Sequence, residues 1–462
     1  MAAIVNSRFR VLNSKNLKND IQNSSNGYYV FVGKSDVWDQ SLTGETDVPI
    51  DPIDTSYETY VAHSNMIAGK KIPTLGGIVQ GIPRHDWQYG ETYVAWDDRD
   101  EDIYLKRYYV IYDFKIYKCL KAGPGASTFQ PQYEGYTPFD EGDGYVWKFM
   151  GGISAQDTKF LSTYYAPVKT IDSGDVTGDD LTKWNLQQDS ANLGGKLYNI
   201  VLTNPGSGYD PINPPTVTIT GNGSGATATA TVNPDGSLAS INLTTTPTTD
   251  SGWTLYNPNG TGYDVAYVTI QSPTSGTTAE AYVVTSPGAG HGTDPAIELG
   301  GFYAIVNVKL EYDEGGEFIV DNDFRQLGII KNPLLPNGSI MSQTAFNALK
   351  TLNLSSVSSS FVAGEYITGS LSGAIAFIDS IDETVTPKTI KFHQNEKTGF
   401  VNFQAGETVT GSGSGSGVVT TSNFIVQPDN QSFTGDIIFI ENRLPINRSQ
   451  SQVEDLKIVI EF

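Results

Sequence analysis

The amino-acid sequence predicts a mainly β protein, a multi-layer β-sandwich framework with few short helices and two inserted small all-β modules. The 462-residue chain holds 48 glycines, 25 tyrosines and 20 phenylalanines, a composition typical of short strands joined by tight turns. Two stretches of the chain repeat themselves, as small inserted modules do. The last residues place Leu456, Ile458, Ile460 and Phe462 at a period of two, which predicts a half-buried closing strand.

The first framework piece, residues 1–197, is predicted to mix strands with two helices. A long aromatic stretch broken at Asp113 predicts a β-hairpin, and the glycine-rich turn before Tyr145 predicts that another strand begins there. The predicted elements, in order, are a helix at residues 12–21, a strand at 28–32, a helix at 56–68, a β-hairpin at 104–120 and a strand at 145–149.

Residues 198–292 form the first predicted inserted module, here called module one. The chain becomes rich in Thr, Gly, Asn and Pro, and three of its motifs recur. Two copies of a turn, a strand, a glycine-rich turn and a strand predict a small all-β unit. The recurring pairs are residues 204–210 with 257–264, residues 217–219 with 268–270, and residues 226–232 with 277–283.

The second framework piece, residues 293–352, is predicted to hold strands at 302–310 and 324–333. A helix is expected at 341–352, with Ser342 as its N-cap. Module two, residues 353–430, is the second predicted insert, in which residues 361–370 recur as 403–412. Each copy predicts a Gly-Glu turn, a short strand and a Gly/Ser turn.

The last framework piece, residues 431–462, is predicted as two strands joined by a turn-rich connector at residues 441–445. With both modules set aside, this piece returns late in the chain to complete a sheet begun near the N-terminus. The connector is expected to be either a corner of the fold or a contact with a partner.

The net charge of −22, from 29 basic and 51 acidic residues, argues against binding to nucleic acid, because lysine and arginine supply most of that affinity. Neither an apolar run of about 18 residues nor a secretory segment is present, so we expect a soluble protein without membrane contact. The single cysteine, Cys119, excludes an intramolecular disulfide and is expected in the core rather than as a nucleophile.

Residues that could carry catalysis are sparse. His85 and Asp86 are the nearest approach to a dyad, but no serine or cysteine motif accompanies them, and a buried hydrogen-bonded loop is the favoured interpretation. The acidic cluster 321–323 lacks the glycine and the terminal glutamate of a calcium loop, and both it and the cluster 97–102 favour solvated turns. We therefore predict no enzyme and no catalytic, cofactor-binding or metal-binding residues. A glycosidase carboxylate pair and a sugar-binding aromatic surface both stay open.

Eight short motifs, in the same chain order, resemble the baseplate wedge subunit encoded by gene eight of T-even-type contractile-tail bacteriophages. They lie in all three framework pieces and outside both modules. The motifs are residues 4–10, 33–38, 83–87, 117–120 and 142–147, Trp184 with 187–189, residues 324–326 with 329–333, and residues 440–446 with the closing strand.

This resemblance implies a non-enzymatic virion protein of the phage tail baseplate, assembled in the cytoplasm of the host bacterium. Members of the family are β-rich homodimers that join other wedge proteins. Six wedges surround a central hub, and the baseplate rearranges when the sheath contracts. The alternative from another class is a tail accessory that binds a receptor or carbohydrate through the two repeat modules.

Overall fold

The computed structural model describes residues 4–38, 47–174, 176 and 178–462. The predicted mainly β class is confirmed, since strands make up 39% and helices 11% of the structure. The helices of the described residues are α1 (Ser7–Gln22), α2 (Ser56–Asn65), α3 (Asp179–Ala191) and α4 (Pro295–Glu298). Short 3-10 turns lie at Ile103–Leu105, Thr158–Phe160 and Glu314–Gly316.

The strands follow in chain order. The first part of the chain holds β1 (Tyr28–Gly33), β2 (Met66–Lys71), β3 (Ile78–Pro83), β4 (Tyr109–Tyr112), β5 (Lys115–Lys121), β6 (Phe139–Asp140), β7 (Val146–Gly152), β8 (Tyr165–Val168) and β9 (Leu197–Asn204). Next come β10 (Thr216–Gly221), β11 (Ala228–Val232), β12 (Leu238–Leu243), β13 (Thr248–Asp250), β14 (Trp253–Leu255), β15 (Ala266–Ile270) and β16 (Glu280–Thr285). The remaining strands are β17 (Tyr303–Glu311), β18 (Asn322–Lys331), β19 (Ala345–Asn347), β20 (Lys350–Ser359), β21 (Tyr366–Gly369), β22 (Ile375–Asp382), β23 (Lys388–His393), β24 (Thr408–Gly411), β25 (Ser416–Val419), β26 (Ile425–Val426), β27 (Asp436–Arg448) and β28 (Val453–Glu461).

The chain divides into two compact units, each of which contains one module. Unit one comprises Met1–Leu17, Val79–Ile305 and Val459–Phe462, and unit two comprises Lys18–Ile78 and Val306–Ile458. The framework pieces are thus shared between the units. The division into residues 1–197, 198–292, 293–352, 353–430 and 431–462 stays a prediction.

The framework of unit one is a six-stranded sheet in the order β13-β14-β6-β7-β5-β4. The predicted hairpin is confirmed as β4 and β5, although it starts at Tyr109, and its turn residues Asp113 and Phe114 both have positive φ angles. Two such residues in succession form the turn that suits the twist of a hairpin. Trp147 and Leu255 share one buried cluster, so the β13–β14 hairpin of module one completes a framework core.

Module one has a four-stranded sheet in the order β12-β11-β10-β15 and a two-stranded sheet of β16 and β9. The equivalent strands of its two copies, β10 and β15, pair with each other, with Thr218 opposite Thr269. A local twofold axis therefore relates the copies at this threonine pair.

The tyrosines of the recurring Gly-Tyr-Asp motif obey the same symmetry. The Tyr209 hydroxyl accepts a hydrogen bond from the Ala279 amide (2.8 Å), and the Tyr263 hydroxyl accepts one from the Ala226 amide (3.3 Å). Ala226 is therefore equivalent to Ala279, whereas the sequence comparison aligned it with Thr277. The predicted third pair of motifs was wrong by two residues, because the short Thr/Ala runs align nearly as well in either register.

Unit two is built on a five-stranded sheet in the order β19-β2-β1-β18-β27. The prediction that the C-terminal piece completes a sheet begun near the N-terminus is confirmed, since β27 joins the sheet of β1. The predicted 441–445 turn is wrong, because β27 continues through these residues. Gln326 pairs with Asn442 and Phe324 with Ile446, so residues 443–445 bulge opposite the single Arg325. Pro445 is tolerated on this edge strand because the ladder loses no required donor there.

The predicted helix at 341–352 is also wrong. Residues 345–347 form β19, where Phe346 lies opposite Gly69, and a Cβ atom on Gly69 would stand 2.2 Å from the Phe346 ring. This close aromatic packing against β2 overrides local helix propensity, which is a weak determinant. Helix α2, with its N-terminus capped by Thr55, ends at Asn65 rather than 68, because Met66 enters β2.

Module two is a closed barrel. Its strands follow the order β23-β22-β21-β24-β25-β20-β26, and β20 pairs with β23 to close the ring. The equivalent strands β21 and β24 pair with Thr368 opposite Thr410, which again places a local twofold axis at a threonine pair. The buried apolar side chains inside the ring, such as Leu352, Ile367 and Ile390, form one contiguous core.

Candidate interaction surface

The most unusual exposed feature of unit two is a cluster of aromatic rings, here called the aromatic surface, formed by Tyr57, Tyr60, His63, Phe400 and Phe433. The first three lie on α2 at spacings of three residues, which places them on one face of the helix. The Tyr60 and Phe433 rings stack with centroids 4.9 Å apart, and Phe400 meets each of them edge-on at 6.2 Å.

The rings of Tyr60, Phe400 and Phe433 contact one another yet remain open to solvent, and Tyr57 lies one helical turn away on the same face of α2. Tyr60 is 39% exposed, Phe400 43% and Phe433 44%. Phe433 also has a φ angle of 61°, which is costly for a bulky side chain. Single exposed apolar residues are ordinary, but a contiguous cluster marks an interaction site.

His63 adds an apolar ring rather than a charge to this surface. Burial lowers the pKa of His63, although the Gly435 backbone and Asp436 oppose the shift. The imidazole is therefore neutral at pH 7, and its ring centroid lies 6.0 Å from that of Phe433.

A groove of about 230 Å³ lies beside the aromatic surface, lined in part by Trp38, Ile53, Tyr57 and Lys397. The Trp38 indole donates a hydrogen bond to the Arg443 carbonyl (2.8 Å), and the Tyr57 hydroxyl donates one to Glu396. The groove thus combines apolar walls with polar ends, as small binding sites do.

The β27 bulge is the second exposed feature. Leu444 projects to solvent, and Arg443 pairs with Glu441 at 2.8 Å. β27 is the outer strand of its sheet, and outer strands offer unpaired backbone groups to partners. The bulge and Pro445 interrupt this edge, and residues 443–445 are exposed there.

Unit one contains a fully buried ionic cluster. Lys118 Nζ lies 2.8 Å from Glu298 Oε2 and 3.0 Å from His291 Nδ1. Burial lowers the pKa of His291 to about 4, and Lys118 adds to that shift. Burial also lowers the pKa of Lys148 to about 7. Lys118 thus links β5 to residues 291–298, while Lys148 of β7 donates to the Phe149 carbonyl at 2.7 Å.

Unit two contains a comparable buried cluster at the base of module two. His393 Nδ1 lies 2.8 Å from Asp379 Oδ2, and its Nε2 lies 3.9 Å from Asp36. Lys34 Nζ pairs with Asp36 at 2.8 Å. The Ser35 hydroxyl donates to Asp379 rather than to His393, so these residues lack the serine–histidine bond of a hydrolase triad.

The residues that the sequence suggested for possible catalysis, His85, Asp86 and Cys119, do not form a catalytic arrangement. Asp86 pairs with Arg84 at 3.0 Å, while the His85 ring packs on Tyr109 with centroids 5.2 Å apart, so His85 and Asp86 do not act as a pair. Burial lowers the pKa of His85, with Arg107 adding to the shift. Cys119 is buried, as expected.

The prediction of a solvated turn is confirmed for residues 97–102, most of which are exposed turn residues, whereas Asn322 and Asp323 of the second cluster begin β18. Asp97 accepts a hydrogen bond from Tyr282, and Asp98 accepts one from Thr285 at 2.7 Å. Asp323 pairs with Arg325 at 3.2 Å. The contacts of Asp97 and Asp98 join this turn to β16 within unit one, whereas the Asp323–Arg325 pair lies within β18.

Among the described residues, no group of three or more His, Cys, Asp or Glu side chains is placed to hold a metal ion. None of the helices in the described part of the chain combines the length and apolar character needed to cross a membrane. The chain matches no known protein-family model, and no curated protein is similar to it in sequence.

Proposed function

We propose that this protein is a structural subunit of a contractile phage tail baseplate wedge, which works through its contacts with itself and with other wedge proteins. The observation that carries the proposal is the aromatic surface. Aromatic residues at the centre of a protein interface supply much of its binding energy. The virion location, the homodimer and the non-enzymatic role belong to the same proposal.

The motifs that resemble the wedge subunit also support it, because several of them hold the framework together. Arg325 donates to the Ser35 carbonyl (2.6 Å) and pairs with Asp47 (2.7 Å). The Gln187 side chain exchanges hydrogen bonds with the backbone of Ile171 in both directions. Motif residues that satisfy buried polar groups fit a resemblance in framework rather than in an active site.

The charges beside the aromatic surface indicate its partner. Glu58 lies on α2 next to Tyr57, and Glu396 accepts a hydrogen bond from the Tyr57 hydroxyl. Asp436 lies near His63. An apolar centre with an acidic rim complements a partner with a basic rim. We therefore assign the aromatic surface to another wedge protein rather than to a second copy of this acidic chain.

Two measurements test the proposal. Light scattering of the purified full chain at tens of micromolar should give the mass of a dimer, and a monomer would overturn the homodimer. Cryo-electron microscopy of intact tails should place this chain in the baseplate, with its aromatic surface against a neighbouring wedge protein.

A matched variant pair tests the surface itself. Tyr60→Ser with Phe433→Ser should prevent incorporation into assembled baseplates while leaving the dimer intact, because both rings would lie at the centre of the contact. Tyr164→Ser, an exposed tyrosine of unit one, serves as the control and should incorporate normally. Normal incorporation of the double variant would refute the assignment.

A further inference from the structure

The outer face of the four-stranded sheet of module one has no charge. None of β10, β11, β12 and β15 contains an acidic or basic residue, in a chain of which 17% is charged. Six threonines from three strands dominate this face, here called the threonine face: Thr216, Thr218, Thr220, Thr229, Thr231 and Thr269.

The alternation of the strands fixes which side chains point outward. Val217, Ile219 and Ile270 pack in the module core, so their neighbours face solvent. The pairing then aligns the outward residues in rows, with Thr218 opposite Thr269, and Thr216 opposite Thr229. Adjacent strands lie about 4.8 Å apart, so the hydroxyl groups form rows at regular spacing across the strands.

One aromatic residue completes the face. Tyr267 of β15 is 62% exposed and lies opposite Thr220. Within the described structure, the hydroxyls of Thr218 and Thr269 have no hydrogen-bond partner, so they are free to bind a ligand. Each threonine hydroxyl can both donate and accept, while an exposed tyrosine offers an apolar ring face.

We propose that the threonine face binds an uncharged polysaccharide, with Tyr267 stacked on a sugar ring and the Thr218 and Thr269 hydroxyls bonded to sugar hydroxyls. A neutral, hydroxyl-rich surface complements a ligand that is itself neutral and rich in hydroxyl groups. A charged polymer would find no counter-charge on these strands. A protein partner fits less well, because interface centres are enriched in aromatic and arginine side chains.

Ordinary strand propensity does not account for the absence of charge. The strands of module two are equally rich in threonine and serine, yet Asp382, Lys388 and Lys391 lie on β22 and β23. The four-stranded sheet of module one therefore differs in surface chemistry from module two, and also from β13 and β16 of module one, which carry Asp250 and Glu280. This site is independent of the proposed wedge function.

Affinity electrophoresis of the full chain tests the proposal, with gels that contain neutral dextran, mannan or galactomannan and a gel with no polymer. At least one neutral polymer should retard the protein. Tyr267→Ala and Thr218→Glu should each weaken that retardation at least about tenfold, as loss of a central contact does. Circular dichroism of each variant confirms that it is folded.

Two control variants should be retarded like the wild type. Tyr164→Ala removes an exposed tyrosine elsewhere in unit one, and Thr368→Glu changes the threonine that occupies the symmetric position in module two. Retardation by none of the neutral polymers, retardation only by dextran sulfate, or unchanged retardation of Tyr267→Ala would each overturn the proposal.

Discussion

The two modules are both built from a duplicated segment, but only one of them closes into a barrel. In each, a duplicated segment pairs its equivalent strands about a threonine pair, Thr218 with Thr269 in module one and Thr368 with Thr410 in module two. Module one keeps an open sheet, whereas module two closes into a barrel. The duplication therefore fixes the local symmetry but not the architecture.

One strand accounts for the difference. The ten-residue β20 pairs with β23 along its first half and with β25 along its second half, so it closes the ring, and the two-residue β26 lies beside its first half. Module one has no strand that pairs in this way, and β12 and β15 remain outer strands. Ile367 inside the ring is fully buried, whereas Ile219, beside the threonine pair of module one, is partly exposed.

The largest effect should come from the cores. Ile367→Ala should destabilise module two by about 2–5 kcal/mol, because a closed interior cannot collapse around a cavity. Ile219→Ala should cost less than about half as much, since that side chain is only partly removed from water. Hydrogen exchange, read by mass spectrometry on peptides from each module, measures the loss of stability in each module separately. Equal losses in the two variants would contradict the proposed difference between the closed barrel and the open sheet.

A smaller effect should separate two equivalent carboxylates inside module two. The buried Glu407 accepts hydrogen bonds from the amides of Leu371 and Ser372, both at 2.9 Å, and from Gln404 at 2.6 Å. The more exposed Glu365 accepts from Val362 (2.9 Å) and Gly413 (2.8 Å). Glu407→Gln should cost about 2 kcal/mol, since hydrogen bonds to charged groups contribute about 1.5–3 kcal/mol, and Glu365→Gln should cost less.

The acid dependence of this difference follows from the pKa of Glu407. Burial alone would raise it, but the backbone hydrogen bonds from Gln404, Ser372 and Leu371 outweigh burial and lower it. Its contribution is therefore present above the ordinary glutamate pKa and lost as pH falls through the lowered value. The free energies of unfolding of Glu407→Gln and of the wild type, measured by chemical denaturation, should become equal in acid. A difference between them that does not change with pH would contradict this account.

The smallest effect should appear at neutral to alkaline pH. Burial opposes protonation of His393, but Asp379 and Asp36 outweigh burial and the repulsion of Lys34, so the pKa of His393 is raised. This contribution is complete below the ordinary histidine pKa of about 6.5 and is lost as pH rises through the raised value. Relative to module one, hydrogen exchange in module two should accelerate as pH rises through that window. The His393→Gln variant should show no such pH dependence. Module one, whose sheet lacks such a group, is the internal control.

Patterns in the sequence predicted the β class, both duplications and the β4–β5 hairpin. Turn residues and internal repeats can be recognised in the sequence without knowledge of tertiary contacts. The failures at 341–352 and 441–445 have a different origin. Phe346 is held in a strand by Gly69, and Pro445 is accommodated by a bulge opposite Arg325. Both conformations depend on residues that are distant in the sequence. The periodicity of neighbouring residues contains no information about such contacts.

The aromatic surface could not be predicted for the same reason. Tyr60, Phe400 and Phe433 come from three separate segments, and only folding brings their rings together. The one local signal was the spacing of Tyr57 and Tyr60 on α2. The uncharged strands of module one were visible in the sequence, but their common face required the observed register.

The reciprocal carboxylates of module two also bear on its origin. Glu365 closes the turn at Gly413 in the second copy, and Glu407 closes the turn at Leu371 in the first. Neither half can satisfy its own turn, so a single copy is complete only beside another of its kind. The barrel therefore has the form of an ancestral homodimer of half-barrels whose two chains became joined into one.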